Sequence, residues 1–375
     1  MQRIRRSAWS PSLGILGILL AAFSLSIPAQ DDTVFSTGVN VVSVIATVRD
    51  QAGRLVNNLG KDDFVLKEDN KEQAIQYFAQ QTDLPLTLGL LVDTSMSQRR
   101  VLDLEKKASN RFLERVLDES KDQAFVIGFD VDVELLQDLT SSKKLLKAGL
   151  GELKTPDRPN RNFPRQNLQF PGGPFPGGQG PGRNRGSWPG GTRGPRGRGT
   201  VPQGIGTVLY DAVFLGADDV LQKQAGRKAM VLISDGVDLG SRITMERAVE
   251  AAHRADAVVY SIYFVDEDLQ ARVTSRAGRA GGMGGRVDGE KVLRQLSEQT
   301  GGQLYKLTND LTLDEVFDRI EEELRSQYSI GYTPDLSDTS GAFRKIELKA
   351  KKSGLKVFTR SGYYPAQEGK QPLAP

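Results

Sequence analysis

Residues 84–325 alternate between short apolar runs and amphipathic stretches, and this alternation restricts the fold more than any other feature of the chain. Runs such as 86–92 and 124–129 are mainly apolar, which is typical of strands buried on both faces. Between them, 101–117 has apolar residues at helical spacing: Val101, Leu104, Ala108, Phe112 and Val116. Strands that alternate with helices indicate an α/β fold, a doubly wound and mostly parallel sheet covered on both faces.

The remaining elements of this region continue the alternation. The short connection between 124–129 and 133–139 predicts one antiparallel strand at the edge of the sheet. Further strands are expected at 228–236, 257–265 and 303–307. Helices are expected at 145–153, 208–221, 245–255, 292–300 and 313–325.

The flanks at 31–83 and 326–364 have a different pattern, with short strands separated by turn residues at regular spacing. This pattern is typical of a β-sandwich. Neither flank has enough strands for a stable core of its own, so we expect the two to pair into one β domain. Residues 365–375 are expected to be a disordered tail.

The first thirty residues resemble an export signal. Arg3, Arg5 and Arg6 precede a short apolar run at 13–27, and 28–30 form a plausible cleavage region. The run is shorter than the roughly twenty apolar residues that span a bilayer. Residues 1–30 therefore predict a cleaved signal peptide and a periplasmic or secreted protein. An uncleaved anchor in the inner membrane is the alternative.

Segment 155–203 is rich in Gly and Pro and carries eight Arg against Asp157 as its single acid. Such a composition cannot bury enough apolar surface to fold, so we expect a disordered insertion. A shorter Gly/Arg-rich loop is expected at 266–289. The basic insertion is interpreted as a tether, or as an attachment to acidic envelope polymers or to the acidic body of the protein. We expect no nucleic acid partner, because an exported protein rarely meets RNA.

Two residue counts restrict the chemistry of any site. The chain has no Cys and one His, His253. Thiolate nucleophiles, disulfides, Cys-ligated zinc and multi-His metal sites are therefore excluded. Any metal must be bound by oxygen ligands, and we interpret His253 as a surface or packing residue.

Five oxygen-bearing side chains are predicted to meet at one edge of the sheet. Asp93 and Asp235 each follow a strand, and Thr207 precedes a helix. Ligands of open α/β sheets bind beyond the carboxyl ends of the strands. The predicted set of two carboxylates and three hydroxyls suits a divalent cation, with Mg²⁺ preferred and Mn²⁺ or Ca²⁺ as alternatives: Asp93, Ser95, Ser97, Thr207 and Asp235. Ser and Asp also cap helices, and Ser97 can serve both roles.

The pattern Asp93-x-Ser95-x-Ser97, followed by Thr207 before a helix and Asp235-Gly after a strand, resembles the metal-ion-dependent adhesion site (MIDAS) of von Willebrand factor type A (VWA) domains. The likeness covers about 84–325. The flanks resemble the ends of exported bacterial VWA-related proteins found especially in Acidobacteria. The resemblance implies a Rossmann-like VWA domain in which Ser95 and Ser97 touch the metal. Met96 departs from the Gly that many such sites have.

The resemblance also implies that Thr207 binds the metal when a partner is engaged, that Asp93 and Asp235 act mostly through water, and that a partner carboxylate completes the site. We therefore expect a non-enzymatic, metal-dependent protein-binding module for adhesion or scaffolding. One alternative is an envelope scaffold whose metal only stabilises the rim, the edge of the sheet where the parallel strands end. The other is a Mg²⁺-dependent phosphotransferase or hydrolase using Asp93. The oligomeric state is left open.

Overall fold

The computed structural model of the protein describes residues 41–81, 84–155, 207–264, 288–308, 310–334 and 341–365. The predicted signal peptide lies outside the described residues. The predicted insertion, the Gly/Arg-rich loop and the tail also lie outside the described residues, except for one or two residues at their ends. The described chain belongs to one unit that begins at Asn40. No described helix is both long enough and apolar enough to cross a membrane.

The strands and helices follow the order that the apolar periodicity predicts. The strands are β1 Val42–Arg49, β2 Phe64–Glu68, β3 Lys71–Gln73, β4 Tyr77–Gln81, β5 Leu86–Asp93, β6 Gln123–Phe129, β7 Val133–Thr140, β8 Arg227–Ser234, β9 Ala257–Tyr263, β10 Leu304–Lys306, β11 Gln327–Tyr332, β12 Arg344–Ala350, β13 Lys356–Thr359 and β14 Gly362–Tyr363. The helices are α1 Leu102–Val116, α2 Lys143–Glu152, α3 Leu209–Phe214, α4 Met245–Arg254, α5 Gly289–Thr300 and α6 Leu313–Arg325. A π-helical turn, Leu215–Val220, continues α3.

The central sheet has six strands in the order β10-β9-β8-β5-β6-β7. All neighbours are parallel except β6 and β7, which pair antiparallel at the edge. Strand β5 lies in the middle with β6 on one side and β8 on the other, and all eight of its residues are buried. The predicted mostly parallel α/β sheet with one antiparallel edge strand is confirmed.

Helices cover both faces of this sheet. One apolar core packs α1, α2 and α6 against one face, and a second packs α3, α4 and α5 against the other. Side chains cap the helix starts by accepting backbone N–H bonds: Ser142, Thr244, Asp288 and Thr312. Helix α5 ends at Gly301, whose φ of 92° is the left-handed conformation that glycine adopts without strain. This doubly wound arrangement places the strand ends of β5, β6 and β8 at one rim.

The flanks form two four-stranded antiparallel sheets with a shared apolar core. One has the order β13-β1-β11-β4 and the other β14-β12-β2-β3. Each sheet mixes strands from both flanks, and in the first sheet Val44 of β1 lies opposite Ile330 of β11. Neither flank could complete either sheet alone. The prediction that the two flanks build one β-sandwich-like unit is confirmed.

The face that α1 buries differs from the predicted one. Leu104 is 50% exposed, whereas Glu105 is 1% exposed. The face that packs on the sheet is Leu102, Glu105, Ala108, Ser109, Phe112, Leu113 and Val116. The prediction for Leu104 was wrong because two helical stripes share Ala108, Phe112 and Val116, and the helix uses the stripe that begins one residue later.

Candidate metal site

Asp93 is the last residue of β5, and its carboxylate is held from two directions. Its Oδ1 accepts a hydrogen bond of 2.9 Å from the backbone N–H of Ser95. Its Oδ2 accepts one of 2.7 Å from the hydroxyl of Ser234 at the end of β8. The residue is 1% exposed. These two hydrogen bonds fix the orientation of the Asp93 carboxylate between the ends of β5 and β8.

The turn after Asp93 brings two hydroxyls together. Ser95 Oγ and Ser97 Oγ lie 2.8 Å apart. The carbonyl of Ser95 accepts a 2.9 Å bond from Gln98 N, which closes the turn before α1. Met96, between the two serines, is 37% exposed, so its side chain extends into solvent. Two neighbouring hydroxyls thus lie in the turn that directly follows a buried carboxylate.

The turn after β8 supplies Asp235. Its Oδ1 accepts a 3.1 Å bond from Val237 N. The following Gly236 has φ of 73°, and a Cβ there would lie 2.2 Å from the carbonyl oxygen of Gly289. Only glycine fits this close approach, so the turn requires Gly236 after Asp235. The turn keeps Asp235 near Asp93, and the repulsion between the two carboxylates affects the titration of Asp93.

Thr207 lies on the same rim through its backbone bonds. Its carbonyl accepts bonds of 3.1 Å from Leu239 N and Gly240 N, in the loop after β8. The next residue, Val208, donates a 2.8 Å bond to the carbonyl of Asp130, directly after β6. Thr207 itself is 8% exposed. The structure thus brings the loops bearing all five predicted residues to the carboxyl ends of β5, β6 and β8.

Burial and repulsion act together on Asp93. Burial and, second, repulsion from the Asp235 carboxylate together raise the pKa of Asp93 to about 7, although the hydrogen bonds from Ser234 and Ser95 act to lower it. Neither Asp93 nor Asp235 makes an ion pair with Lys or Arg among the described residues. A divalent cation would offer these two aspartates a counter-charge that no described Lys or Arg supplies through an ion pair.

The donor set fits a hard cation. Within the described part of the chain, no three His, Cys, Asp or Glu side chains group closely enough to hold a metal. A cation at this rim would therefore need the hydroxyls of Ser95, Ser97 and Thr207 as well as the two aspartates. Neutral oxygens with few charges suit Mg²⁺, which keeps several of its waters.

Sequence reasoning missed three polar residues of this region. Ser234 is 0% exposed and bridges Asp93 and the N–H of Gly236. Its position next to Asp235 at a strand end was a usable signal. Gln98 and Glu105 are each 1% exposed. Burial and the charge of Asp93 raise the pKa of Glu105 well above its ordinary value. The helical spacing gave no signal for Glu105, because it favoured Leu104.

No family model matches this sequence, and no curated protein is similar to it. The neighbours of this fold among solved structures include VWA-domain proteins. The VWA domain of SpRpn10 has a TM-score of 0.32 at 10% identity, over 63% of this chain and 95% of that one.

Two further neighbours among solved structures are a bacterial and a mussel protein. An aerotolerance-related membrane protein from Bacteroides fragilis has a TM-score of 0.38 at 13% identity, over 64% of this chain and 98% of that one. Proximal thread matrix protein 1 from the mussel byssus, with a zinc-occupied MIDAS motif, has a TM-score of 0.42 at 11% identity. That match covers 68% of this chain and 48% of the mussel chain.

Proposed function

We propose that this chain is an exported, metal-dependent protein-binding module, for adhesion or scaffolding, whose rim cation binds a carboxylate of a partner protein. The observation that carries the proposal is the pair of hydroxyls of Ser95 and Ser97, 2.8 Å apart, beside a buried Asp93 that has no basic partner among the described residues. Mg²⁺ is the proposed cation, with Mn²⁺ or Ca²⁺ as alternatives.

In this proposal the five residues divide their roles by charge. Ser95, Ser97 and Thr207 bind the cation directly, and Asp93 and Asp235 act mostly through water. The existing bonds of Asp93 support this division, because both of its oxygens already accept hydrogen bonds from the protein. With neutral oxygens as its direct ligands, the cation keeps much of its charge and attracts an incoming anion.

The proposal of a non-enzymatic role is supported by the position of His253. Its Nε2 lies 2.8 Å from the carbonyl oxygen of Gln299, and its ring stacks on Phe343. It lines a cavity with Gly226 and Ala257, at the amino ends of β8 and β9 and thus opposite the rim. A Ser nucleophile at the rim would therefore have no His as its general base.

The proposal of export rests on the basic and apolar pattern of residues 1–30. Those residues lie outside the described part of the chain, as does the Arg-rich insertion. We propose a periplasmic or secreted location, with anchoring in the inner membrane as the alternative.

Calorimetric titration of the mature protein with Mg²⁺ and Mn²⁺ tests the site. We expect one site, lost in the double variant Ser95→Ala/Ser97→Ala. The matched control is Ser43→Ala/Ser329→Ala, which removes a second pair of hydroxyls, 3.5 Å apart in the β-sandwich, and should leave the titration unchanged. An unchanged titration in the rim variant would exclude the proposed ligands.

A pull-down from envelope extracts, with and without EDTA, separates a binding module from a scaffold. Partner capture should require the cation and should be lost in Ser95→Ala/Ser97→Ala. If the cation stabilises the protein but capture is equal with and without EDTA, the rim metal is structural. Phosphatase turnover that disappears in Asp93→Asn would favour the enzyme alternative.

A further inference from the structure

Glu105 is a buried carboxylate that has no hydrogen-bond donor. The residue is 1% exposed, and neither Oε1 nor Oε2 has a partner. A buried carboxylate without a partner is strongly unfavourable, so such groups are normally paired, bound to a metal or protonated. Helix α1 nevertheless turns Glu105 toward the sheet and leaves the neighbouring Leu104 50% exposed.

Other unpartnered acceptors lie on the same segment. Gln98 is 1% exposed, and its Nε2 donates to the carbonyl of Phe264 at 3.4 Å while its Oε1 has no partner. Ser109 follows Glu105 by one helical turn, and its Oγ is also unpartnered. Of the six such side-chain atoms in the described part of the chain, four belong to Gln98, Glu105 and Ser109. The oxygens of Glu105 and Gln98 Oε1 can only accept, so they need a donor or a cation, whereas the hydroxyl of Ser109 can also donate.

The place of this segment in the fold points to the rim. Gln98 closes the turn that carries Ser95 and Ser97, and α1 begins four residues later. Glu105 is close enough to Asp93 for the two charges to interact. No Lys or Arg makes an ion pair with Glu105 among the described residues. A cation bound at the rim beside Asp93 would offer Glu105 a counter-charge.

We infer that Glu105 is a further residue of the divalent-cation site, a third carboxylate that retains the cation from behind Asp93, with Gln98 Oε1 on the same side. This inference rests on the proposed function. Glu105 does not complete a cluster of three acidic ligands, so it acts from outside the directly bound set. Because it is buried, it leaves the solvent-facing position open for a partner.

The test is calorimetric titration with Mg²⁺ and Mn²⁺ of the mature Glu105→Gln variant. Gln has nearly the same shape but no charge, and loss of such an outer carboxylate typically weakens metal affinity about 10- to 100-fold. The matched control is Glu114→Gln, an exposed acid on the same helix, whose affinity should equal that of the unmodified protein. Glu105→Asp, which keeps the charge, should retain more affinity than Glu105→Gln.

A second readout separates a metal role from a structural one. The melting temperature in EDTA should be equal or higher in Glu105→Gln, because a buried carboxyl group without a partner has been removed, while the rise on adding Mg²⁺ should shrink. Equal metal affinity in Glu105→Gln and Glu114→Gln would overturn the inference. Should Glu105→Gln fail to unfold cooperatively, Gln98→Leu decides: weaker metal binding supports the inference, and unchanged binding overturns it.

The unmodified protein and the Ser95→Ala/Ser97→Ala variant distinguish failure of this inference from failure of the proposed function. If the unmodified protein takes up neither cation, both fail. If it binds a cation that the serine variant loses, while Glu105→Gln binds as tightly as the control, the rim site stands and the role of Glu105 is rejected.

Discussion

Glu68 in the β-sandwich and Glu105 beneath the rim of the central sheet are both almost fully buried, yet their surroundings differ. Glu68 accepts a 2.8 Å bond from Arg344 Nη1 and bonds from the hydroxyls of Tyr332 and Tyr363. Glu105 accepts none. Within one chain, one buried glutamate has several hydrogen-bond donors and another has none.

A third buried acid shows that full pairing is the usual state here. Glu323 of α6 is 0% exposed and accepts bonds from Tyr305 and Gln303, with Arg49 Nη2 at 3.4 Å. Where a glutamate is structural, the fold supplies its donors. The contrast teaches that Glu105 lacks the donors that the other buried glutamates have, so its cost to stability should depend on the cation that we propose at the rim.

The largest expected effect is the loss of a partner in the sandwich. Arg344→Met leaves Glu68 buried without its counter-charge, which should lower the free energy of unfolding by about 3–5 kcal/mol. Urea denaturation in EDTA measures the loss, and metal affinity should not change. The control is Lys349→Met on the same strand, which removes an exposed pair with Glu347 and should cost less than about 1 kcal/mol. A loss in Arg344→Met no greater than the control would break the comparison.

The second effect is a pH dependence that arises at the rim. The pKa of Asp93 is raised in the folded protein to about 7, from an ordinary value of 3.8. The folded state therefore holds a proton that the unfolded state has lost, and stability falls as pH rises between about 4 and 7. A shift of this size corresponds to roughly 4 kcal/mol for a buried group.

Urea denaturation in EDTA at pH 5 and pH 8 measures this dependence. Asp93→Asn should be less sensitive to pH than the unmodified protein by about 3 kcal/mol. Asp103→Asn, an exposed acid in the first turn of α1, should behave like the unmodified protein. Added Mg²⁺ should stabilise the unmodified protein more at pH 8 than at pH 5. Equal pH dependence in Asp93→Asn and Asp103→Asn would show that the rim acids are not destabilising.

The central sheet was predictable because its signals are local. Strand β5 is apolar on both faces, which marks a strand in the middle of a covered sheet. The pairing of the flanks followed from their short strands, but the strand order did not. Strand β1 lies between β11 and β13, which are more than 270 residues away in the chain, and spacing along a sequence does not encode such partners.

The candidate site divides in the same way. Asp93 and Asp235 were predictable because each ends an apolar run at the rim where parallel strands finish. Their role as metal ligands, with Ser95, Ser97 and Thr207, stays a prediction. Glu105 was not predictable, since its burial depends on which of two overlapping helical stripes faces the sheet, and packing against the sheet decides that.

The smallest expected effect is the loss of a single hydrogen bond to a buried acid that keeps its other partners. Tyr305→Phe removes the hydroxyl that donates a 2.8 Å bond to Glu323 Oε2, while Arg49 and Gln303 remain as partners. The free energy of unfolding should fall by about 1–2 kcal/mol, less than in Arg344→Met, because Glu323 keeps its counter-charge. Tyr77→Phe, at a 56% exposed tyrosine, is the control and should change little. Metal affinity should be unaffected, since this network lies away from the rim.

A loss as large as that of Arg344→Met would mean that hydrogen bonds, rather than the counter-charge, hold the buried acids. In that case the missing partner of Glu105 would be a donor, and a cation would no longer be required.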